Sequence, residues 1–294
     1  MKFFTDALIV PFDVSFISRA LVAGCLAAIL CSLIGTWVIL RRLTFFGDAM
    51  SHGMLPGVAT ASLLGGNLMF GAAISALIMS AGVVWTSRKS SLSQDVSIGL
   101  QFITMLSLSV VIVSHSDSHA VDKHSVLAHR RGYLSSFLFG DILGVRPSDI
   151  FIIAIATVLG GLTIFLFHRQ FTALAFDERK AHTLGLNPRF AHLLMLALIA
   201  LATVVSFQVV GTLLVFGLLI GPPATAALLV QDKASISLIM IVASLLGCAE
   251  IYLGLLISWH ASTAAGATIT LLSAAIFFAT LLTKSAISKL NFTA

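Results

Sequence analysis

The chain has 294 residues, of which 58% are hydrophobic and only 10% are charged. A soluble domain carries about 25% charged residues, so these values and the mean hydropathy of +1.05 exclude an ordinary soluble protein. The apolar runs are long and continuous, unlike the roughly ten-residue alternating strands of a membrane β-barrel. They indicate an all-α integral membrane protein.

Nine apolar runs reach or approach the roughly 17 to 20 residues that a helix needs to cross a bilayer. In chain order they lie at 17–40, 48–64, 68–86, 97–114, 150–167, 190–210, 212–230, 236–258 and 264–283. The second run is short and contains Pro56, so eight full spans plus one broken helix is an equally good interpretation. We expect a single transmembrane domain over 1–294, in which about residues 1–16 form an extracytoplasmic segment.

The basic residues orient this bundle, because lysine and arginine collect in cytoplasmic loops. If Arg41 and Arg42 are cytoplasmic, most of the 17 basic residues and a minority of the 12 acids lie inside. The net charge of +5 is then a topology signal and does not require a nucleic-acid partner. The same count predicts a cytoplasmic C-terminus.

Asp48 and His52 are four residues apart, so they share one face of any helix that contains them. Carboxylate oxygen and imidazole nitrogen are ligands for Mn²⁺, Fe²⁺ and Zn²⁺. Alternatively, Asp48 is an interfacial acid at a helix start and His52 bonds to a neighbouring helix. Two ligands do not close a site, but a two-fold dimer would supply both residues twice.

Two other groups of residues could act on a cation. Glu250 lies deep in an apolar run, where a carboxyl either lines a pathway or packs as a hydrogen-bonded group between helices. The segment after the fourth run contains four histidines that could collect metal outside the cytoplasm, or that simply form a solvated loop: His115, His119, His124 and His129.

Hydrolytic and nucleotide-binding motifs are missing from the sequence, which has no HExxH, GxSxG or GxxxxGK[ST] pattern. The three cysteines lie in apolar runs and are expected to be small buried residues. At 221–233, two consecutive prolines are expected to break the seventh run and to be followed by a short alanine-rich helix.

Three blocks of sequence carry a family resemblance. They are GTWVILRRLTFFGDAMSHGMLPGVA at 35–59, FLFGDILG at 137–144 and VVGTLLVFGLLIGPPATA at 209–226. With these blocks in this order, the chain from Pro11 to Lys284 resembles the membrane permease subunit of ABC importers for zinc, manganese and iron. Two features depart from the family pattern: the histidine segment is longer, and Glu250 stands where a small or apolar residue is expected.

The resemblance implies a homodimer in the bacterial cytoplasmic membrane, with a cytoplasmic ABC ATPase dimer that binds ATP and an extracytoplasmic metal-binding protein. The permease itself would be no enzyme and would hold no permanent cofactor. Asp48 and His52 would coordinate the transported ion, Mn²⁺ or Zn²⁺, and the amino-acid sequence of the first block favours Mn²⁺. A coupling helix at 222–234 would dock the ATPase through Pro222, Pro223, Ala224, Thr225 and Ala226.

Two alternatives remain at this point. A permease for a larger metal chelate, such as a siderophore or corrinoid, would not need Asp48 and His52. An intramembrane metalloenzyme would need a third ligand and a general base near Asp48, and no such residue is close in sequence.

Overall fold

A computed structural model describes residues 14–89, 94–117, 142–176, 186–230 and 235–292. The elements in these ranges are all helical. They are α1 (Ser15–Leu40), α2 (Thr44–Gly53), α3 (Leu55–Leu63), α4 (Leu68–Lys89), α5 (Gln94–Asp117), a 3₁₀ turn (Ile142–Gly144), α6 (Pro147–Leu166), α7 (His168–Phe176), α8 (Pro188–Val210), α9 (Thr212–Val230), α10 (Ile236–Ala261) and α11 (Ala265–Phe292).

Eight of these helices are long and apolar enough to cross a membrane: α1, α4, α5, α6, α8, α9, α10 and α11. The predicted all-α membrane bundle is therefore confirmed. The second predicted span is not one helix but the pair α2 and α3, separated by Met54. Pro56 lacks the N–H that would bond to the carbonyl of His52 four residues earlier, which accounts for the interruption.

Helix α1 lies at the centre of the bundle and packs against α6, α8, α9 and α10. Hydroxyl groups form hydrogen bonds between α1 and two of these neighbours. Ser32 donates its hydroxyl proton to the carbonyl of Ala243 on α10 over 3.2 Å, and Thr157 on α6 donates to the carbonyl of Leu26 over 3.3 Å. Such bonds between helices persist in a bundle because lipid offers no competing partner.

The turn from α1 into α2 is closed by a residue in the left-handed region. Arg42 has φ of 56°, its N–H donates to the carbonyl of Ile39, and the N–H of Leu43 donates to the carbonyl of Val38. This pair of bonds is the Schellman pattern, in which glycine is the usual left-handed residue. The compact turn lets α2 start only three residues after α1 ends, and so fixes where α2 lies.

Helices α3 and α4 form a tight hairpin. A Cβ atom added at Gly57 would lie 1.9 Å from the carbonyl oxygen of Gly71, and one added at Gly71 would lie 2.3 Å from that of Gly57. The two backbones can touch because neither residue has a side chain. The connection between them turns at Gly65, whose φ is 66°.

The predicted break at Pro222 and Pro223 is wrong, because both prolines lie inside the continuous helix α9. Pro223 leaves the carbonyl of Leu219 without its helical donor. That carbonyl faces Gly35 of α1, where an added Cβ would lie only 2.0 Å away. Close packing against α1 therefore accommodates the prolines, as neighbouring helices often do in membranes. The predicted separate coupling helix does not begin at residue 222, and 231–234 lie outside the described residues.

Candidate metal site

The face of α2 that carries Asp48 and His52 is partly accessible, whereas its opposite face is buried in the bundle. Phe46 and Met50 on that opposite face have no exposed surface, while Asp48 and His52 are both partly accessible. The i, i+4 spacing therefore places the two candidate ligands side by side on the open face, as the sequence predicts. His52 lies in the last turn, where the negative end of the helix dipole favours a cation.

Close packing behind α2 holds this face in place. A Cβ atom added at Gly47 would lie 2.7 Å from Leu219 Cδ2 of α9, and one added at Gly53 would lie 2.0 Å from Met79 Sδ of α4. Ser75 of α4 also donates a hydrogen bond of 2.7 Å to the carbonyl of Gly53. The small residues of the sequence GDAMSHG thus let α2 lie directly on α4 and α9.

An aromatic ring from α5 contacts the candidate ligands' face. The ring of Phe102 lies edge-on to the His52 imidazole, with centroids 5.4 Å apart and planes at 82°. It also lies 6.3 Å from the ring of Phe45, which precedes Asp48 by one turn. Sequence reasoning missed Phe102, because no local pattern links two residues that lie fifty positions apart and meet only through the fold.

One copy of the chain brings two candidate ligands to this face. Among the described residues, no group of three or more His, Cys, Asp or Glu side chains could hold a metal ion. A carboxylate and an imidazole alone would bind a divalent ion weakly, and further ligands would be needed to complete its coordination shell. Such ligands could approach from the accessible side of α2.

The structure places the other candidate residues elsewhere. Glu250 is fully buried on α10, which packs against α1, α9 and α11, and it is not grouped with Asp48 and His52. Of the four histidines, His115 falls in the last turn of α5. The other three lie outside the described residues: His119, His124 and His129.

Four of the five residues predicted to dock the ATPase are buried within the bundle: Pro222, Pro223, Thr225 and Ala226. Ala224 is partly accessible, and Leu229 near the end of α9 is 54% exposed. The amine of Lys284 on α11 donates to the carbonyl of Leu228, which ties this end of α9 to α11. Most of the predicted docking residues are therefore packed against other helices of the described bundle.

A cavity of about 390 Å³ lies beside the start of α1, whereas Asp48 follows the end of that helix. Its walls carry no carboxylate, imidazole or thiol and consist of Ile17, Leu143, Leu255, Ser258, Trp259, Ser262 and Thr263. These groups do not bind a transition metal.

The bundle of long apolar helices, with an acid–imidazole pair on an open helix face, defines a polytopic membrane protein of the transport type. Comparison with known proteins agrees, since residues 13–284 match the profile of the ABC 3 transport family. The chain belongs to that family.

Three relatives illustrate the likeness. The manganese transport system membrane protein MntC of Listeria monocytogenes is 33% identical over 264 residues, covering 90% of this chain and 89% of the relative. The manganese import system permease protein ScaB of Streptococcus gordonii is 33% identical over 265 residues, covering 90% of both chains. The solved structure of PsaBC from Streptococcus pneumoniae in complex with Fab matches with a TM-score of 0.77 and 31% identity, over 93% of this chain and 94% of that one.

Proposed function

We propose that this chain is the permease subunit of an ATP-driven importer of a divalent transition-metal ion, and that the ion is Mn²⁺ rather than Zn²⁺. The named function of the relatives from Listeria and Streptococcus supports manganese. The ligand chemistry is compatible with both ions, since a carboxylate and an imidazole bind either. The ion is the cargo of the permease and not a resident cofactor.

The observation that carries this proposal is the partly accessible pair of Asp48 and His52 on α2. A bare divalent ion cannot enter hydrocarbon, so a path across the membrane must replace its lost water ligands. A second copy of the chain, related by two-fold symmetry, would bring another Asp48 and another His52 to the same ion. Two carboxylates then balance the double positive charge, and two imidazoles complete four-coordinate ligation.

The partners follow from membership of an ABC transport family. Two cytoplasmic ATPase subunits would hydrolyse ATP, and an extracytoplasmic binding protein would deliver the ion. We place the ATPase contact at the exposed end of α9, around Leu229 and the residues that follow it. The buried prolines of α9 then carry the movement inward toward Leu219, which packs on α2. Access to the ion alternates as this movement shifts the population of two states.

The proposed orientation in the bacterial cytoplasmic membrane has the N-terminus outside and the C-terminus inside. An odd number of crossings is needed to put the two ends on opposite sides. Eight long helices give an even number, so the broken pair α2–α3 must cross as well. Its 20 residues from Thr44 to Leu63 span about 30 Å at 1.5 Å per residue, which matches the hydrocarbon thickness.

The histidine segment is a second element of the proposal. It follows α5, on the extracytoplasmic side in this orientation. Four imidazoles near the entrance would raise the local concentration of metal without fixing one geometry. Its contribution would therefore show only when metal is scarce.

The experiment that tests the proposed function is uptake of ⁵⁴Mn²⁺ by cells that contain the complete importer. Asp48→Asn and His52→Gln should each lower the initial rate by at least about tenfold, because symmetry removes two ligands with each substitution. Asp95→Asn is the matched control, since Asp95 is an exposed acid in the first turn of α5. Normal uptake by both ligand variants would exclude the site and favour a chelate as the cargo.

A further inference from the structure

A buried carboxyl with a single polar neighbour lies at the contact of α10 with α9 and α11. The Glu250 side chain has no exposed surface, and its polar neighbour is the hydroxyl of Ser273 on α11, which is 2% exposed. Neither side chain has another hydrogen-bond partner within the described part of the chain. One hydroxyl does not compensate a buried negative charge, so an ionised carboxylate would be costly here unless a cation binds to it.

The surroundings are closely packed, which limits what that ligand can be. A Cβ atom added at Gly221 of α9 would lie 2.0 Å from Ser273 Oγ, and one added at Gly247 would lie 3.5 Å from Pro222 Cγ. Glu250 lies one turn beyond Gly247 on the same face of α10. We call Gly221, Glu250 and Ser273 the Glu250 cluster. A metal cation takes about six oxygen ligands, whereas the side chains of the cluster offer three oxygen atoms, two on Glu250 and one on Ser273.

Most charged and titratable side chains on the helices around the cluster have partners elsewhere or lie far along their helices. Helix α9 contains none. Arg19 and Cys31 of α1 donate to Ser15 and Ser206, Arg41 after α1 donates to Leu174, and the Cys25 carbonyl accepts from Cys248 of α10. Lys284, the nearest on α11, lies eleven residues beyond Ser273, and His260 of α10 donates to the carbonyl of Leu256. Tyr252 lies two residues after Glu250, and residues two apart point to different faces of a helix.

We propose that the Glu250 cluster is a proton-binding site. An ionised carboxylate at this place would lose its hydration without gaining a counter-charge, which costs several kcal/mol. A proton removes the charge, requires no coordination shell, and converts the carboxyl into a donor for the Ser273 hydroxyl. It is the one cationic ligand that fits both the packing and the two side chains present.

Helix α9 connects this proton site to the metal site. Leu219 packs against Gly47, the neighbour of Asp48, while Gly221 packs against Ser273 and Pro222 against Gly247. A displacement of α9 that changes the setting of α2 therefore also opens or closes the Glu250 cluster. Resting on the proposed function, we infer that the proton is held when the cluster is packed and is released when α9 moves away during the transport cycle. Proton occupancy and metal access are then linked, and the linkage is reciprocal.

The first experiment does not depend on transport. Infrared spectra of the full chain in lipid nanodiscs at neutral pH should contain the C=O stretching band of a protonated carboxylic acid. Glu250→Gln should remove this band, because the amide is neutral, nearly isosteric and absorbs elsewhere. Ser273→Ala should keep the band but shift it to higher frequency through loss of the hydrogen bond, and Asp48→Asn should leave it unchanged. A wild-type spectrum without a band that depends on Glu250 would overturn the proton site.

The second experiment tests the link with access. In the reconstituted importer, trapping the ATP-bound state with a non-hydrolysable analogue should remove the Glu250 band, and Glu250→Gln should flatten the dependence of Mn²⁺ uptake on pH. A band that persists in every trapped state, with an unaltered pH profile in the variant, would overturn the linkage. Asp48→Asn is run beside it, because loss of uptake in that variant shows that the proposed function holds even if the proton linkage fails.

Discussion

The ring of Phe102 restricts the plane in which the His52 imidazole can present a nitrogen atom to a metal ion. Edge-to-face contacts between rings contribute about 0.5–1.5 kcal/mol beyond their buried area. Here the two planes meet at 82° with centroids 5.4 Å apart. The imidazole is thereby oriented by α5 before an ion arrives, which lowers the entropic cost of coordination.

We predict that Phe102→Ala weakens metal binding without abolishing transport. Loss of about 0.5–1.5 kcal/mol corresponds to a two- to tenfold rise in the Mn²⁺ concentration for half-maximal uptake, with a smaller change in the maximal rate. The measurement is the concentration dependence of uptake. Phe151→Ala is the control, because Phe151 of α6 is 68% exposed. An equal shift in both variants would show that the effect is general and not exerted through His52.

For single residues, the sequence predicted those relations that follow from the spacing of residues along one helix. Asp48 and His52 lie on one helix face because residues four apart always do. The burial of Glu250 also follows from its apolar neighbours. Phe102 and Ser273 could not be found, because their relation to His52 and Glu250 arises only when helices distant in sequence pack together.

Helix contacts in this bundle depend on positions where a side chain would not fit. Gly35 faces the carbonyl of Leu219, and Gly57 faces that of Gly71, in both cases within 2.0 Å of a hypothetical Cβ. A Cβ atom added at Gly99 of α5, in contrast, would have no other atom within 4 Å. Glycine in a helix interior is otherwise unfavourable by roughly 1 kcal/mol relative to alanine, so packing must be the reason for the first two.

We therefore predict opposite signs for two glycine substitutions. Gly35→Ala should lower the thermal unfolding temperature of the purified permease, because an overpacked core costs about 1–3 kcal/mol. Gly99→Ala should leave it unchanged or raise it, because alanine is the better helix former and meets nothing. Detergent-solubilised protein is followed by fluorescence-detected unfolding. Equal unfolding temperatures for the two variants would contradict the close approach of α1 and α9.

Prolines at two places in the chain show where prediction of helices works and where it fails. Pro56 interrupts a short run and does separate two helices, so the alternative of a broken span was accessible from the sequence. The pair at 222–223 suggested the same outcome but lies within α9. The difference is set by a neighbour: α1 presents a glycine to the carbonyl that the proline leaves free. A prediction that considers one helix alone cannot include this packing against a neighbouring helix.

For the whole molecule, the proposed two-fold dimer would make assembly part of the site. Each protomer would offer one carboxylate and one imidazole on α2, so an ion held at the proposed symmetry axis would be shared between two copies. The ratio of bound ions to chains is then one to two. A site completed within a single chain would give one to one.

We predict a ratio of one bound ion to two chains for the permease dimer in nanodiscs that has been saturated with Mn²⁺ and freed of excess ion. Metal is measured by mass spectrometry against quantified protein. The wild type should hold about half an ion per chain, Asp48→Asn should lose it, and Asp95→Asn should retain it. A value of one ion per chain, or binding that survives Asp48→Asn, would count against the shared site.

Composition and hydropathy were sufficient to predict the all-α membrane class but left nine spans, or eight and a broken helix, as alternatives, between which the eight long helices of the described residues decide. They were not sufficient for the arrangement of those helices, because apolar residues face both lipid and the interior and their pattern does not distinguish the two. The central place of α1 and the contacts of α9 therefore required the structure.

The different ways in which α1 and α9 are held have a mechanical consequence. Hydroxyl bonds fasten α1 to α6 and α10, whereas several contacts of α9 with its neighbours are made at glycines, and Lys284 of α11 bonds to the carbonyl of Leu228 near one end of α9. Separating two helices costs more where hydrogen bonds between them must break. We therefore expect α1, α6 and α10 to stay together as one unit during transport, while α9 changes its position against them.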